Sequence, residues 1–314
     1  MARKLIIDCD PGIDDAVALA MALFDPRLEV IAVTAVAGNV AAEIATRNVQ
    51  ALIEQFDPPK YPRIGAASPA ETGAGTDARH MHGDDGLGNA GFACSTLIRQ
   101  HPSEKIIADE IRAAPNQITV LCLGPLTNLA RAFQREPGLL ELVDQVIMMG
   151  GAVNGIGNAT PSAEFNIYCD PESARTIFRA PITKTLVPLD ATTRVAFDFG
   201  FLSELPLEST RVGNVLHRAL PFLCRVYRQQ LGLEIFHLHD AVALVALTNP
   251  ELFETVEMNG DVEVAGELTI GATIFDRRAT YRGPTNMDVA KELDVAAVKD
   301  CILRSLAEAG RASS

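Results

Sequence analysis

Short apolar runs that alternate with amphipathic helical segments constrain the fold of this chain more than any other feature. Residues 4–9 and 28–37 have the apolar, β-branched character of strands, and residues 13–24 and 41–56 have helical spacing. Further short apolar runs occupy residues 117–123, 145–149 and 186–189. Strands separated by helices predict a parallel sheet that is covered by helices on both faces.

The expected fold is an α/β domain with a mostly parallel central sheet flanked by helices, a Rossmann-like core. The chain has 314 residues, of which 48% are hydrophobic and 21% charged, so it can fill a large core. No internal repeat or linker interrupts it, and we expect residues 1–314 to form a single domain. Ligands of such sheets bind beyond the carboxyl ends of the strands. This rule selects residues 8–15, 37–39, 123–127 and 150–158 as candidate site segments.

Three stretches depart from the alternating pattern. Residues 68–92 are rich in Gly, Asp, His and Ala without periodicity, which predicts a long loop that is functional or mobile. Residues 150–162 form a second loop, rich in Gly and Asn. Residues 256–281 alternate apolar and polar side chains around turn-forming glycines, which predicts a late antiparallel excursion.

Composition excludes several classes of function. The 27 Lys and Arg against 40 Asp and Glu give a net charge of −13, which disfavours nucleic-acid binding. The amino terminus lacks the apolar core of a secretory signal, and no apolar run is long enough to span a bilayer. The six cysteines are scattered and contain no C-x-x-C pair, as expected for reduced thiols in a cytoplasmic protein.

The segment Asp8-Cys9-Asp10-Pro11-Gly12-Ile13-Asp14-Asp15 carries the strongest chemical signal. Four carboxylates lie within eight residues, at a junction between a predicted strand and a predicted helix. The helix dipole stabilises a nearby anion by only about 0.3 to 1 kcal/mol, too little to keep four clustered carboxylates ionised. Either some of them are protonated or a cation lies among them. Carboxylates without neighbouring Cys or His suit a hard cation such as Ca²⁺ or Mg²⁺, with Asp8 the weakest member and a support for the others.

This segment resembles the D-x-D-P-G-x-D-D signature of the inosine-uridine-preferring nucleoside hydrolases. Other blocks follow in the order and spacing of that family, and together they cover roughly residues 3–309. They are Ala37-Gly38-Asn39, His82-Gly83 with Asp85-Gly86-Leu87-Gly88, Gly124-Pro125-Leu126-Thr127-Asn128-Leu129-Ala130, Met149-Gly150-Gly151, Gly157-Asn158, Ala163-Glu164-Phe165-Asn166, Asp170-Pro171-Glu172 with Ala174, and His239-Asp240.

The resemblance implies a Ca²⁺-dependent ribonucleoside N-ribohydrolase, acting in cytoplasmic nucleoside salvage as a homodimer or homotetramer. It implies that Asp10, Asp15, the backbone carbonyl of Leu123 and Asp240 hold the cation. Asp10 then also acts as general base toward the water on the metal. His239 matches the leaving-group histidine of the family, and a histidine with a pKa of about 6.5 can act as a general acid at neutral pH.

Substrate contacts are implied by the same resemblance. Asp14 accepts hydrogen bonds from the ribose, and Asn158 and Glu164 hold its 5′-hydroxyl. Asn166 assists at the 2′- and 3′-hydroxyls, since Glu164 and Asn166 face the same way in an extended chain. The remaining candidates are Asn39 at the ribose end, Phe165 beside the sugar, and His82 and Tyr227 toward the base. The chain has no tryptophan, so aromatic contacts with the base must come from Phe, Tyr or His.

Three other functions were weighed against this interpretation. A haloacid-dehalogenase-like phosphatase also has a D-x-D motif after its first strand, but it needs a small hydroxylated residue where Gly12 stands. A metal-dependent glycosyltransferase would place D-x-D after a donor-binding region. A catalytically silent ribonucleoside-binding protein would retain the fold, and the four site carboxylates Asp10, Asp14, Asp15 and Asp240 show no sign of lost catalysis.

Overall fold

A nine-stranded sheet lies at the centre of the fold, in a computed structural model that describes residues 2–69, 77–95, 100–154 and 156–314. In chain order the strands are β1 (Arg3–Cys9), β2 (Leu28–Ala35), β3 (Arg63–Ala66), β4 (His101–Pro102), β5 (Ile118–Cys122), β6 (Gln145–Met149), β7 (Lys184–Val187), β8 (Ala196–Asp198), β9 (Ile235–His237), β10 (Phe253–Met258), β11 (Gly260–Val262), β12 (Thr273–Phe275) and β13 (Met287–Leu293). The helices are α1 (Ile13–Phe24), α2 (Ala42–Phe56), α3 (Arg79–His82), α4 (Ser103–Ala113), α5 (Thr127–Arg135), α6 (Phe165–Cys169), α7 (Pro171–Arg179), α8 (Leu189–Thr192), α9 (Arg211–Gln230), α10 (His239–Thr248) and α11 (Val295–Ala312). Short 3₁₀ helices span Pro137–Glu141, Phe199–Ser203 and Pro250–Leu252.

Within the described residues, the strand order of the large sheet is β10-β13-β7-β6-β5-β1-β2-β3-β4. Its neighbouring strands pair in parallel, except that β10 runs antiparallel to β13 at one edge. The pairs β8–β9 and β11–β12 form two small antiparallel sheets. The predicted α/β architecture with a mostly parallel sheet is therefore confirmed.

Alternation along the strands divides the apolar core between the two faces of the sheet. In β1, Leu5 and Ile7 belong to one buried cluster, and Ile6 belongs to the other. Helices α1, α2, α9, α10 and α11 cover the first face, and α4, α5 and α7 cover the second. Successive side chains of a strand point to opposite faces, so a strand between two helical layers is apolar throughout.

The bounds of several predicted elements agree with the structure, and others differ. Helix α1 and strand β6 have the predicted ends. Strand β7 stops at Val187, and Leu189, which we expected to end a strand, begins α8 instead. In the antiparallel excursion, β10 joins the edge of the large sheet while β11 and β12 form a separate hairpin.

The predicted loop over residues 68–92 is only partly a loop. Residues 70–76 lie outside the described residues, and α3 forms one helical turn after them. A tight turn follows α3, in which one carboxylate oxygen of Asp85 accepts the backbone N–H groups of Leu87 and Asn89 at 2.8 Å. The other oxygen accepts the N–H of Gly91 at 2.9 Å. This part of the stretch is therefore hydrogen-bonded structure.

Two further features concern cross-links between cysteines and the membrane-spanning length of helices. None of the six cysteines, all of which lie in the described residues, forms a disulfide, and Cys9, Cys122, Cys169 and Cys224 are buried. Among the helices of the described ranges, none has the length and apolarity that crossing a membrane requires.

Candidate active site

A cavity of about 530 Å³ opens at the carboxyl edge of the sheet. It lies where β1, β5, β6 and β7 end, as the rule for parallel sheets predicts. Nearly all of the predicted site residues line it, namely Asp10, Asp14, Asn39, His82, Leu123, Asn158, Glu164, Phe165, Asn166, Tyr227, His239 and Asp240. Asp15 is fully buried, directly beneath this group at the start of α1.

The turn between β1 and α1 depends on a glycine. The Gly12 N–H donates to Asp15 Oδ2 at 2.8 Å, so the Asp15 carboxylate reaches back to the start of its own helix. A Cβ atom at Gly12 would lie 2.8 Å from both Asn39 Nδ2 and His82 Nδ1. Only a residue without a side chain lets these two residues approach the turn.

Carboxylates from opposite ends of the chain meet at the bottom of the cavity. Asp14, Asp15 and Asp240 each place an oxygen within 4.8 Å of the others, and all three are buried. Burial, together with the charges of neighbouring Asp14 and Asp15, raises the pKa of Asp10 and Asp240 well above the usual range. Burial and the charge of Asp14 raise the pKa of Asp15 to about 7.

These donors fit a hard divalent cation. Asp15 Oδ1 is buried and has no hydrogen-bond partner among the described residues, so a strong acceptor is left without a donor. Carboxylate and carbonyl oxygens are the ligands that Ca²⁺ and Mg²⁺ prefer, and a cation would offset the repulsion between these carboxylates. The Leu123 carbonyl lies nearby and accepts the Asn166 side-chain amide at 2.7 Å, which leaves it a second lone pair.

Asp10 is held rigidly from two sides. The Asn39 N–H donates to Asp10 Oδ2 at 2.8 Å, and the Asn39 side-chain amide donates to the Asp10 backbone carbonyl at 3.0 Å. A Cβ atom at Gly38 or Gly124 would collide with the two carboxylate oxygens of Asp10. The glycines and Asn39 together fix the position of this carboxylate.

Asp8 lies under the cluster and contacts other elements. Its Oδ1 accepts the Thr34 hydroxyl at 2.6 Å and the Asn128 side-chain amide at 2.8 Å. Burial raises the pKa of Asp8 to about 7. These contacts place Asp8 among supporting groups that join β1 to β2 and α5.

The predicted extended conformation around Glu164 and Asn166 is wrong. Glu164 is the N-cap of α6, and Phe165 and Asn166 are its first helical residues. The Glu164 carboxylate accepts the backbone N–H groups of Asn166 at 2.9 Å, Ile167 at 3.1 Å and Gly151 at 2.9 Å. A helix N-terminus leaves such N–H groups unsatisfied, so a buried carboxylate there favours the helix over a strand. Burial nevertheless raises the pKa of Glu164 to about 7.

His239 begins α10, as the sequence predicts, and contacts two other polar side chains. Its Nδ1 lies 2.7 Å from the hydroxyl Oγ1 of Thr192, and its ring stacks on that of His237 with centroids 5.5 Å apart. Burial lowers the pKa of His239 to about 4, below the ordinary value used in the sequence argument. In the unliganded protein this imidazole is therefore neutral at pH 7.

His82 is attached to the amino terminus of α1. Its Nδ1 accepts the Ile13 N–H at 3.1 Å, so the proton of the neutral ring is on Nε2. Gly88 donates to the His82 backbone carbonyl at 2.7 Å, which joins α3 to the turn after it. His82 thus offers the cavity a hydrogen-bond donor.

Tyr227, predicted to lie toward the base, is buried. Its ring lies 6.0 Å from that of His237 in an edge-on arrangement. Around it, α3, α9 and the segment after α9 contribute Met81, Leu223, Leu231 and Leu233 to the cavity, together with His80. This wall, here called the aromatic wall, adjoins His239.

Besides the residues around Tyr227, the sequence did not predict two residues that contact elements of the site, Thr192 and Asp190. Thr192 contacts His239, and Asp190 accepts the Val153 N–H at 2.7 Å and the Asn154 N–H at 3.1 Å. Both belong to α8, a single turn that carries no unusual motif. The apolar run that forms β7 could have pointed to Asp190 and Thr192, because site residues of parallel sheets follow the carboxyl ends of such strands.

Comparisons with known proteins agree with this geometry. The sequence profile of the family described as inosine-uridine preferring nucleoside hydrolase matches residues 5–300. A non-specific ribonucleoside hydrolase, RihC, from Escherichia coli O6:H1 is 38% identical over 310 residues, which are 98% of this chain and 99% of that protein. Among solved structures, a purine-preferring ribonucleoside hydrolase from Gardnerella vaginalis has a TM-score of 0.91 at 26% identity. A plant nucleoside hydrolase, PpNRh1, has a TM-score of 0.90 at 32% identity, and each alignment covers 98% of this chain and 99% of the other.

Proposed function

Because this chain belongs to the inosine-uridine preferring nucleoside hydrolases, and is therefore a hydrolase of N-glycosyl compounds, we propose that it cleaves ribonucleosides to the free base and ribose. The main observation that supports this proposal is the cluster of buried carboxylates formed by Asp14, Asp15 and Asp240 beside Asp10. The cluster lies at the bottom of a cavity whose polar side chains suit a sugar. The proposal includes a role in nucleoside salvage in the cytoplasm.

The cation is proposed to be Ca²⁺, held by Asp10, Asp15, the Leu123 carbonyl and Asp240. Its support is the all-oxygen donor set and the unpartnered Oδ1 of Asp15. When bound, such an ion makes a water molecule more acidic and fixes its position. Asp14 also lies within reach of the cluster, and we propose that it binds the ribose hydroxyls.

The reaction forms one bond and breaks another at the anomeric carbon. Water oxygen bonds to C1′ while the electrons of the C1′–N bond leave with the base. We propose that Asp10 accepts the proton of the water. We propose that His239, which is neutral in the unliganded protein, takes up a proton from solvent when the substrate binds and donates it to the departing base. Asp10 suits its role because Asn39, Gly38 and Gly124 fix its carboxylate at the cavity floor.

Ribose recognition is proposed to come from side-chain oxygens and amides. Asn158 and Glu164 would hold the 5′-hydroxyl, Asn166 the 2′- and 3′-hydroxyls, and Asn39 and Phe165 would shape the same end. The Asn158 Oδ1 already accepts the Phe165 N–H at 2.8 Å, so Asn158 is oriented by the helix that carries the other two. Buried polar groups that lose a partner are costly, so deoxyribonucleosides should be poor substrates.

The aromatic wall supports broad base tolerance. The described residues of this wall, which lies beside His82 and His237, are Tyr227, His80 and four apolar side chains. None of them has a carboxylate or a side-chain amide that would select the hydrogen-bonding groups of one particular base. An apolar pocket discriminates weakly between ligands of similar shape. We therefore propose that purine and pyrimidine ribonucleosides are both hydrolysed; the Escherichia coli relative is named a non-specific ribonucleoside hydrolase.

Two further properties complete the proposal. Residues 1–314 are proposed to act as one domain, because both apolar clusters pack on the two faces of the same sheet. The assembly is proposed to be a homodimer or homotetramer, which light scattering of the purified protein would measure.

A substrate panel tests the proposed function. The purified protein is incubated in calcium with uridine, cytidine, inosine and adenosine, and free base and ribose are measured. We expect turnover of purine and pyrimidine ribosides. Binding without release of base would instead indicate a silent binding protein, and hydrolysis of p-nitrophenyl phosphate would indicate a phosphatase.

A further inference from the structure

The single turn α8 contacts both sides of the cavity. Its first residue, Leu189, donates its N–H to the Gly151 carbonyl at 2.9 Å. Its second, Asp190, accepts the N–H groups of Val153 and Asn154, and also the Asn154 side-chain amide. Its last, Thr192, contacts His239. One short segment therefore joins the loop after β6 to the amino terminus of α10.

The Thr192 contact determines which ring nitrogen of His239 is available. Thr192 is fully buried, and its Oγ1 is within hydrogen-bond distance of Nδ1. A hydroxyl can both donate and accept, so the contact persists whether the ring is neutral or protonated. With Nδ1 engaged and His237 stacked on the ring, Nε2 is the nitrogen left for a ligand in the cavity.

The Asp190 contacts hold Val153 and Asn154, which belong to the same loop after β6 as Asn158. Two backbone N–H groups point at one carboxylate, and the Arg277 guanidinium holds the Asn154 side chain at 2.9 Å. Hydrogen bonds to an ionised group are stronger than neutral ones, so this carboxylate is a firm anchor for the loop.

We propose that Asp190 and Thr192 are positioning residues, Asp190 for the ribose-side loop and Thr192 for the ring of His239. The proposal rests on the proposed function, in which His239 protonates the departing base. Neither residue needs to contact the reacting atoms. Loss of Thr192 should therefore affect the departure of the base, and loss of Asp190 should affect substrate binding.

Kinetics on two substrates test both roles. Uridine needs a proton on its leaving base, whereas p-nitrophenyl riboside has a leaving group that needs none. We expect Thr192→Val to lower kcat for uridine about tenfold or more, with kcat for p-nitrophenyl riboside changed less than about threefold. Thr192→Ser keeps the hydroxyl and should retain kcat for uridine within about threefold of the wild type.

Asp190→Asn should raise KM for both substrates by about fivefold to tenfold, with a smaller change in kcat, because the loop loses a charged acceptor.

Thr248→Val is the matched control for Thr192→Val, since the Thr248 hydroxyl donates a hydrogen bond within α10, at the end of the helix far from His239. It should behave as the wild type.

The results separate this inference from the proposed function. A wild type that releases no base from uridine overturns both. The role of Thr192 alone is overturned if the wild type hydrolyses uridine but Thr192→Val either keeps its kcat or loses the same factor in kcat on both substrates. An unchanged KM in Asp190→Asn overturns the role of Asp190.

Discussion

Asp15 and Asp240, which lie on α1 and α10, place carboxylate oxygens within 4.8 Å of each other in the buried floor of the cavity. In the absence of a cation, burial and like charge raise the pKa of both groups. The contact therefore costs folding free energy unless a proton or a cation lies between them. This relationship gives a direct test of cation binding by stability.

Calcium should stabilise the fold through these two residues. A ligand at about a hundred times its Kd stabilises the native state by about 2.7 kcal/mol, so unfolding in CaCl₂ should require more denaturant than unfolding in chelator. In the double variant Asp15→Asn with Asp240→Asn, the shift should disappear, and stability in chelator should equal or exceed that of the wild type. An undiminished calcium shift in this variant would place the cation elsewhere.

Glycines beside Asp10 should be required for activity. Gly38→Ala puts a methyl group against Asp10 Oδ2, and Gly124→Ala does so against Oδ1. Because a displacement of about 1 Å in a reacting group can cost about a hundredfold in rate, we expect kcat to fall about that far. Gly138→Ala is the control, since a Cβ atom there meets no atom within 4 Å. Equal kinetics in all three variants would show that Asp10 needs no such confinement.

His239→Ala should separate substrates by their leaving groups. If His239 protonates the departing base, turnover of inosine and uridine should fall by about a hundredfold or more, and p-nitrophenyl riboside should be much less affected. Steady-state rates on the three substrates measure this. A loss of the same size on all of them would exclude the role of proton donor.

Lys184 gives a prediction about stability that is independent of catalysis. It is buried on β7, its Nζ donates to the Ala180 carbonyl at 2.6 Å, and burial lowers its pKa to about 8. The unfolded chain holds its proton up to a pKa of about 10.5, so the native state is penalised below pH 8, and the penalty disappears as pH rises toward 10.5.

Lys184→Met should therefore stabilise the protein at pH 7, by up to about 3 kcal/mol, and have little effect near pH 10.5. The Ala180 carbonyl keeps a donor in this variant, because the Ile182 N–H lies 2.9 Å from it. Urea unfolding at both pH values measures the difference. Lower stability of the variant at pH 7 would show that the ammonium contributes favourably.

The sequence predicts those parts of the fold that depend on local periodicity. Helix α1 has a regular helical pattern over twelve residues, and strand β6 is an apolar run that ends at a glycine. The ends of both elements were predicted at the correct residues. Strands β3 and β4 have four and two residues, too few to show a period, and they form because β3 pairs with the edge of β2 and β4 pairs with β3. The position of β5 between β1 and β6 likewise depends on contacts distant in sequence.

Within the site, the motif residues converge in the structure, but their local conformations were less predictable. Glu164 was expected in an extended chain and instead caps α6, where its carboxylate accepts the N–H groups of Asn166 and Ile167 and also that of Gly151, from the loop after β6. Asp190 and Thr192 have ordinary neighbours in the sequence. Their importance follows from β7 ending between the loop after β6 and the start of α10.

The central claim is that acidic side chains from both ends of the chain hold one divalent ion that supports attack of water on a ribonucleoside. The most direct test strips the protein with chelator and titrates Ca²⁺ back while base release from uridine is measured. We predict no release without the ion, full release at one ion per chain, and none from Asp10→Asn at any calcium concentration. Undiminished release from the stripped protein, or from Asp10→Asn, would contradict the account.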